Sequence, residues 1–317
     1  MKSVKSLSQN HPSHVGRPSG TELPTGVGTG PKTVCRLGLV VAAAALCATR
    51  ADRVEACTLW GAAGSAAGGG TIVCKNRDWK PDHTQVLKMR RSEEGYAYFG
   101  LCTVYATQST EGMAAGVNEK GLTAFTAATS SLPSSTWKDR KVTRNVTTPI
   151  LLGYATCDEV LAKRDALFSS MRPTFVMIAD RTKILMVEVG LDGKYALKTI
   201  ENGVVGHANH YLDKTLAEFN VNVGDSSRTR QDRIDQLLKT SRKPFTIDTF
   251  AAIGRDQHDG PDNSLWRSGK VARTLASWIV ACPRDGAPRL RVVIANPDQK
   301  EETHVLVLDE RFWKATE

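Results

Sequence analysis

The sequence predicts an α+β fold in which strands and helices come in separate blocks of the chain. Residues 113–127 and 174–200 are typical of strands joined by short polar turns, whereas residues 148–168 and 226–253 carry apolar residues at helical spacing. Such blocks favour layers of sheet and helix over a doubly wound parallel sheet, in which strands and helices alternate. We find no repeat of fixed period.

The first 56 residues differ from the rest and are expected to be a disordered tail followed by a signal peptide. Residues 1–32 are rich in Ser, Gly, Pro and His, which is typical of disorder. Residues 37–48 are an apolar run that is too short for a membrane span but suits a signal-peptide core. Val54 and Ala56 are small residues at the positions that a signal peptidase reads, so we expect cleavage before Cys57 and export to the periplasm or the medium. A cytoplasmic protein with an unusual tail is the alternative.

Residues 57–317 are expected to form one catalytic domain, since no linker-like stretch divides them. A hairpin is predicted from Gly121 in a tight turn between two β-rich runs, and a helix from Thr148 followed by Pro149 at its first position. The predicted strands are 70–77, 113–118, 122–127, 174–179, 184–189, 195–200, 274–281, 289–295 and 304–308. The predicted helices are 148–154, 158–168, 226–240 and 246–253.

The charge balance argues against a nucleic-acid partner. The chain has a formal net charge of +9, but residues 57–317 hold 35 Lys or Arg against 30 Asp or Glu. Nucleic-acid binders usually show a stronger basic patch with interleaved aromatic residues, which is absent here. Nor is any later segment long and apolar enough for a transmembrane helix. The expected partner is a small molecule; the oligomeric state is left open.

Five cysteines follow the predicted leader. They are Cys57, Cys74, Cys102, Cys157 and Cys282. An odd number in an exported protein leaves at least one free thiol. Their spacing is not that of zinc ligands, so disulfides and buried free thiols are both possible.

A cysteine at the start of a mature chain has a chemical option that other cysteines lack. Its own α-amine has an ordinary pKa of about 7.7–8.0 and lies within reach of its thiol, so the amine can act as the base. Such a site also needs a carboxylate for the amine, a cation beside the thiolate and amide donors for an oxyanion. The candidates of these types are Asp78, Lys75, Arg77, Asn118, Asn209, Arg228, Arg230 and Arg233. Each taken singly also fits a cap, a turn or a solvated helix face.

Together, several motifs resemble a known superfamily. Three of them resemble motifs of the N-terminal-nucleophile hydrolases. These are Cys-Thr at the expected start, Asn-Arg-Asp-Trp about twenty residues later, and Gly-Val-Asn-Glu-Lys-Gly-Leu. The branch is that of choloylglycine hydrolase, penicillin V acylase and the isopenicillin N acyltransferase and carcinine hydrolase group. The later stretches ANHYLD, SSRTRQDRIDQLL and DGPDNSLWR resemble the same group. The resemblance implies a four-layer αββα sandwich and cleavage of a linear, non-peptide amide through a thioester, without a metal or cofactor.

The resemblance also implies roles for individual residues. Cys57 matches the nucleophile and Asp78 the aspartate that binds its α-amine. Asn118 and Asn209 match the asparagines around the oxyanion, and Arg230 matches the arginine of the Ser-Ser-x-x-Arg motif. The family usually has Arg-Asn-x-Asp where this chain has Lys75-Asn-Arg-Asp. We therefore expect Lys75 to supply the charge, with Arg77 as the alternative.

Other classes of protein remain possible. A papain-like enzyme would use His207 or His210 as base, and His207, His210 and Asp213 resemble part of a metal site. A secreted, non-catalytic small-molecule-binding protein on the same fold is the main alternative. The substrate is not predicted, although residues 107–113, 130–144 and 257–267 are expected to shape its pocket.

Overall fold

A computed structural model of the chain describes residues 56–105 and 112–315. Residues 1–55 of the predicted tail and signal peptide lie outside these residues, as does the segment 106–111. No helix among the described residues is long and apolar enough to cross a membrane. The five cysteines from Cys57 onward all lie in the described part of the chain, and none of them forms a disulfide there.

The described residues form two sets of strands separated by helices. The strands are β1 (Thr58–Ala63), β2 (Thr71–Trp79), β3 (Thr84–Ser92), β4 (Gly95–Val104), β5 (Gly112–Asn118), β6 (Thr123–Ala127), β7 (Thr174–Ala179), β8 (Ile184–Val189), β9 (Tyr195–Ile200), β10 (Gly203–His207), β11 (Arg273–Cys282), β12 (Arg289–Ile294) and β13 (Glu302–Val307). The helices are α1 (Thr147–Gly153), α2 (Cys157–Ala162), α3 (Arg164–Phe168), α4 (Asp225–Thr240), α5 (Ile247–Gly254), α6 (Gly260–Asn263) and α7 (Glu310–Ala315). Short 3₁₀ helices cover Gly64–Ala67, Ser134–Thr136 and Lys214–Phe219.

The strands form two antiparallel sheets. A six-stranded sheet has the order β10-β1-β2-β11-β12-β13, and a seven-stranded meander runs from β3 to β9. Apolar side chains of both sheets, among them Leu59, Phe125 and Trp278, pack in one buried cluster between them. Helices α1 to α3 cover the outer face of the meander, and α4 and α5 cover that of the six-stranded sheet. This four-layer αββα arrangement confirms the predicted fold class.

Local sequence explains most of these elements. Strands β7, β8 and β9 have the predicted bounds, because turns around Asp180 and Gly193 separate three β-prone runs. Gly121 closes the predicted β5–β6 hairpin with a φ of +86°, a conformation that glycine adopts without strain.

The predicted helix over 158–168 is instead two helices, α2 and α3, that meet at Lys163. Val160 and Phe168 are both fully buried in the same outer core. Eight residues apart on one straight helix, their side chains would point about 80° away from each other at 3.6 residues per turn. The break allows both to face the sheet.

Candidate active site

Cys57 lies at the point where the chain enters β1. Its side chain is 2% exposed and lines a cavity of about 260 Å³ between the two sheets. Lys75 and Arg77 of β2, Thr126 of β6 and Arg172 also line this cavity. The thiol therefore faces a cleft whose described lining includes three basic side chains.

The pairing of β1 with β2 decides which side chains face the thiol. Thr58 lies opposite Asn76 and Leu59 opposite Lys75 in an antiparallel register. Continuing this register by one residue places Cys57 opposite Arg77. Successive side chains of a strand point to opposite faces, so Lys75 and Arg77 face the cavity, whereas Asn76 and Asp78 point to the helix-covered side.

Arg77 places its guanidinium against the sulfur of Cys57. Its Nη1 lies 3.9 Å from Cys57 Sγ, and its guanidinium stacks 4.0 Å above the ring of Trp79. The side chain is 7% exposed, and its Nε has no hydrogen-bond partner within the described residues. The guanidinium therefore places a positive charge next to the sulfur of Cys57.

Lys75 connects the two sheets. Its buried Nζ donates to the main-chain carbonyls of Ala114 in β5 and Thr126 in β6, at 2.8 and 2.5 Å. The sequence predicts Lys75, with Arg77 as the alternative, as the cation of the site. Both line the cavity, but the contact with the sulfur is made by Arg77.

Asp78 is fully buried on the other side of β2. Its Oδ1 accepts a hydrogen bond of 2.7 Å from Thr274 Oγ1, and its Oδ2 has no partner among the described residues. Burial raises the pKa of Asp78 to about 6, although Arg230 and Arg267 favour its ionised form. Continuing the register by two residues would place Asp78 opposite Ala56, whose carbonyl carbon is bonded to the nitrogen of Cys57. An ammonium there would satisfy the orphaned oxygen.

Arg230 of α4 ties the start of β1 to Asn209. Its Nη1 donates to the carbonyl oxygen of Cys57 at 3.2 Å and to Thr58 Oγ1 at 2.7 Å, and its Nη2 donates to Asn209 Oδ1 at 2.9 Å. Burial lowers the pKa of Arg230 to about 10, which still leaves it charged at neutral pH. Asn209 Nδ2 donates one N–H to the carbonyl of Ala128, which lines the Cys57 cavity.

The structure does not bring Asn118 to the cavity. Its Nδ2 donates to the carbonyls of Leu151 and Tyr154, and its Oδ1 accepts from the amides of Lys120 and Leu122. These four bonds use the donors and acceptors of the amide, which is fully buried in the hairpin turn. The geometry supports a structural role for Asn118 rather than the predicted place beside an oxyanion.

Two neighbours of Asp78 carried no predicted role. Thr274 lies directly opposite Asp78 in β11, and the buried Arg267 favours the ionised carboxylate through its charge. Arg267 is the last residue of the stretch DGPDNSLWR, which resembles the family, so the sequence does point to this arginine. Thr274 carried no signal, because its position depends on the long-range pairing of β2 with β11.

His207 and His210, the candidates for a papain-like base or a metal site, make their contacts away from the Cys57 cavity. His207 Nε2 lies 3.4 Å from Glu188 Oε1, and His210 Nδ1 lies 2.9 Å from Ser227 Oγ. Asp213 caps a 3₁₀ helix by accepting from the amide of Thr215. Neither histidine lines the Cys57 cavity. Across residues 56–105 and 112–315, no three His, Cys, Asp or Glu side chains are grouped as metal ligands would be.

Comparison with known proteins gives a family for this chain. Residues 65–299 match the family model described as acyl-coenzyme A:6-aminopenicillanic acid acyl-transferase. No curated protein matches. Two crystal structures of conjugated bile acid hydrolase from Clostridium perfringens, a cysteine-to-alanine mutant and an arginine-to-leucine variant, are similar at 14% identity, with TM-scores of 0.47 and 0.48. Each alignment covers 78% of this chain and 92% of the other. Because the family match spans most of the domain, the chain belongs to the acyl-coenzyme A:6-aminopenicillanic acid acyl-transferase family, within the N-terminal-nucleophile hydrolase group that its motifs resemble.

Proposed function

We propose that this protein is an N-terminal cysteine amidohydrolase or acyltransferase that opens a linear, non-peptide amide through a thioester at Cys57. The family match supports an enzyme that acts on amide bonds. The observation that carries the cysteine assignment is the 3.9 Å approach of Arg77 Nη1 to the buried Cys57 Sγ inside a cavity.

The first step requires a free amine at Cys57. Once residues 1–56 are removed, the α-amine takes the thiol proton, directly or through one water, and Sγ attacks the substrate carbonyl carbon. The tetrahedral intermediate then expels the substrate amine, which receives that proton from the α-ammonium. A thioester remains on Cys57. Water or a second amine attacks it and regenerates the thiol.

Asp78 and Arg230 hold the reacting residue in place. The unpartnered Asp78 Oδ2 accepts from the α-amine and orients its lone pair toward the thiol. Arg230 fixes the carbonyl of Cys57, and through Asn209 it connects that carbonyl to the cavity wall at Ala128.

Asn209 is the better supported of the two predicted oxyanion donors. Its side-chain amide has two N–H groups, of which one is donated to Ala128. Asn209 does not itself line the cavity, but its second N–H makes no hydrogen bond within the described residues. We assign that N–H to the negative oxygen of a tetrahedral intermediate, a contribution that is typically worth roughly 3–4 kcal/mol in such sites. Asn118 is not part of the proposal.

Removal of the leader would couple activity to export. The small residues Val54 and Ala56 support a signal-peptidase cut directly before Cys57. Before that cut the nitrogen of Cys57 is an amide without a basic lone pair, so the precursor is expected to be inert. The mature protein would be periplasmic or secreted.

An electrophilic acyl probe tests the enzyme against a non-catalytic binding protein. The processed protein is expected to form a covalent adduct at Cys57, located by peptide mass spectrometry, and to hydrolyse members of an amide library. Cys57→Ala should lose both properties while remaining folded. The control is Cys282→Ala, because burial raises the pKa of that thiol to about 12 and keeps it unreactive. A Cys57→Ala variant with normal turnover, or a wild-type protein without an adduct, would refute the proposal.

A further inference from the structure

A larger cavity lies away from Cys57, at an open edge of the sandwich. It measures about 410 Å³ and is bounded by β8, β9, β10 and α4. β9 and β10 are the edge strands of the two sheets at this side. None of its lining residues also lines the Cys57 cavity, so the mechanism proposed above makes no use of it.

Two buried polar side chains, His207 and Glu188, face each other in the wall of this cavity. His207 Nε2 lies 3.4 Å from Glu188 Oε1, and the two side chains are 1% and 9% exposed. His207 Nδ1 lies 3.1 Å from the main-chain oxygen of Ala208, and because a carbonyl only accepts, Nδ1 carries a proton. In the neutral ring Nε2 is then an acceptor, and it makes no hydrogen bond within the described residues.

Glu188 is an acceptor as well. Its carboxylate accepts from the main-chain amides of Leu212 and Asp213, at 2.9 and 3.1 Å. An ionised carboxylate has no proton to donate to His207 Nε2. Two acceptors therefore lie side by side in a buried place, which is unfavourable until a donor binds between them.

We propose that this cavity binds a small organic ammonium compound whose N–H groups donate to both His207 Nε2 and Glu188 Oε1. A protonated primary amine has three donors on one nitrogen, so it can reach two acceptors while its charge pairs with the carboxylate. The lining also has apolar side chains for a hydrocarbon chain, among them Val205 and Leu238.

The other charged residues of the lining do not outweigh this preference. The lining has three carboxylates, Glu188, Asp213 and Asp235, and two lysines, Lys198 and Lys239. Both lysines are exposed, so water screens their charge, whereas Glu188 is buried, where charges interact more strongly. The buried carboxylate therefore decides the sign of the ligand.

Three compounds with the same four-carbon chain test the donor and the charge separately. n-Butylammonium is charged at neutral pH, as a lysine side chain is, and should bind the wild-type protein in isothermal titration calorimetry. Butyltrimethylammonium has the charge but no N–H, and butyramide has N–H groups but no charge. Each should bind at least about tenfold more weakly, because hydrogen bonds to charged groups are the stronger ones. Absence of saturable butylammonium binding, or equal binding of butyltrimethylammonium, would overturn the inference.

A substitution at Glu188 locates the site. In Glu188→Gln the amide oxygen still accepts from Leu212, while the new NH₂ group can donate to His207 Nε2. The variant should therefore fold and bind butylammonium at least about tenfold more weakly. The matched control is Glu218→Gln, which removes the same charge from an exposed carboxylate outside the cavity and should leave the affinity unchanged. Equal affinities of wild type and Glu188→Gln, or equal losses in the two variants, would contradict the site.

Nitrogen NMR of the histidine rings distinguishes a bound ammonium from a protonated His207, and it uses the wild-type protein. The signals of His207 are assigned by their absence in His207→Gln. In the ligand-free protein at neutral pH, Nε2 should carry no proton, and its signal should shift when butylammonium is added. An Nε2 that is already protonated would show that a proton joins the two groups, and it would overturn the inference.

Discussion

At the scale of single residues, Asp78 holds a charge that its surroundings disfavour. The carboxyl group is fully buried, and one of its oxygens lacks a partner in the described chain. An α-ammonium at Cys57 would compensate this cost in the mature protein. While Cys57 is still joined to Ala56, the energetic cost of the buried Asp78 charge remains. It should be measurable as a dependence of the protein's stability on pH.

We predict the sign of that dependence. Burial raises the pKa of Asp78 from 3.8 to about 6, so between these values the folded precursor binds more protons than the unfolded chain. Its free energy of unfolding should therefore fall as pH rises from about 4 to 7, by roughly 3 kcal/mol from this group. Asp78→Asn removes this slope, which chemical denaturation at several pH values measures. Parallel pH curves for the two proteins would contradict the account.

The same substitution should also reduce activity. In the processed enzyme Asp78→Asn loses the carboxylate that orients the α-amine, and turnover should fall by roughly two orders of magnitude or more. The measurement is kcat at saturating substrate, with circular dichroism as the control for folding. Loss of fold rather than of rate would support a purely structural role for Asp78.

At the scale of elements, β2 is the strand that builds the site. Its alternation sends Lys75 and Arg77 to the cavity and Asn76 and Asp78 to the helix side, as the two-residue period of a strand predicts. Asn76 Nδ2 donates to the carbonyls of Gly254 and Leu265, which fixes the strand to the helical layer.

Substitutions of the two cations of β2 should have different effects. Loss of Arg77 should mainly lower the reactivity of Cys57, and loss of Lys75 should mainly lower the stability of the fold. Arg77→Met removes the charge beside the sulfur and should slow both Cys57 alkylation and turnover by roughly tenfold or more. Lys75→Met leaves the carbonyls of Ala114 and Thr126 without a buried donor, which should cost about 1–3 kcal/mol of stability. Thermal unfolding and alkylation rates of both variants test this division. A larger loss of alkylation rate in Lys75→Met than in Arg77→Met would restore Lys75 as the cation of the site.

The elements that sequence patterns predict are those with strong local signals. β7, β8 and β9 are apolar runs between Asp- and Gly-containing turns, and their bounds follow from the sequence. By contrast β1 ends in Gly-Ala-Ala, β3 carries Lys-Met-Arg-Arg near its end, and β10 has two glycines and a histidine among its five residues. Such strands are stabilised mainly by their partners in the sheet, so their own residues signal them weakly.

At the scale of the whole molecule, the site depends on contacts between distant segments. Arg230 reaches Cys57 across 173 positions, and Thr274 reaches Asp78 across 196. The motifs identified most of these residues, but only the layer packing shows that Asn118 lies away from the cavity and that Arg77 contacts the sulfur. The residue pattern of a single sequence does not determine which residues of distant strands and helices come into contact.

The packing also bears on how Cys57 is freed. Ala56 and Cys57 are 4% and 2% exposed, so a peptidase would have to cut between them before this region folds. Signal peptidase acts during translocation and meets that requirement. We therefore predict that a full-length Cys57→Ala precursor is still cut after Ala56 during export, as N-terminal sequencing would show. An uncut Cys57→Ala precursor beside a processed wild type would indicate self-cleavage by the thiol.

In the proposed mechanism the free α-amine of Cys57 is the catalytic base. Two proteins that lack residues 1–56 test it most directly. One is expressed as Met-Cys57, from which the host removes the methionine, and the other keeps a permanent alanine before Cys57; N-terminal sequencing confirms each end. We predict that the first hydrolyses amides and the second is inert, although both are folded and contain the same thiol. Equal activity of the two proteins would contradict the mechanism.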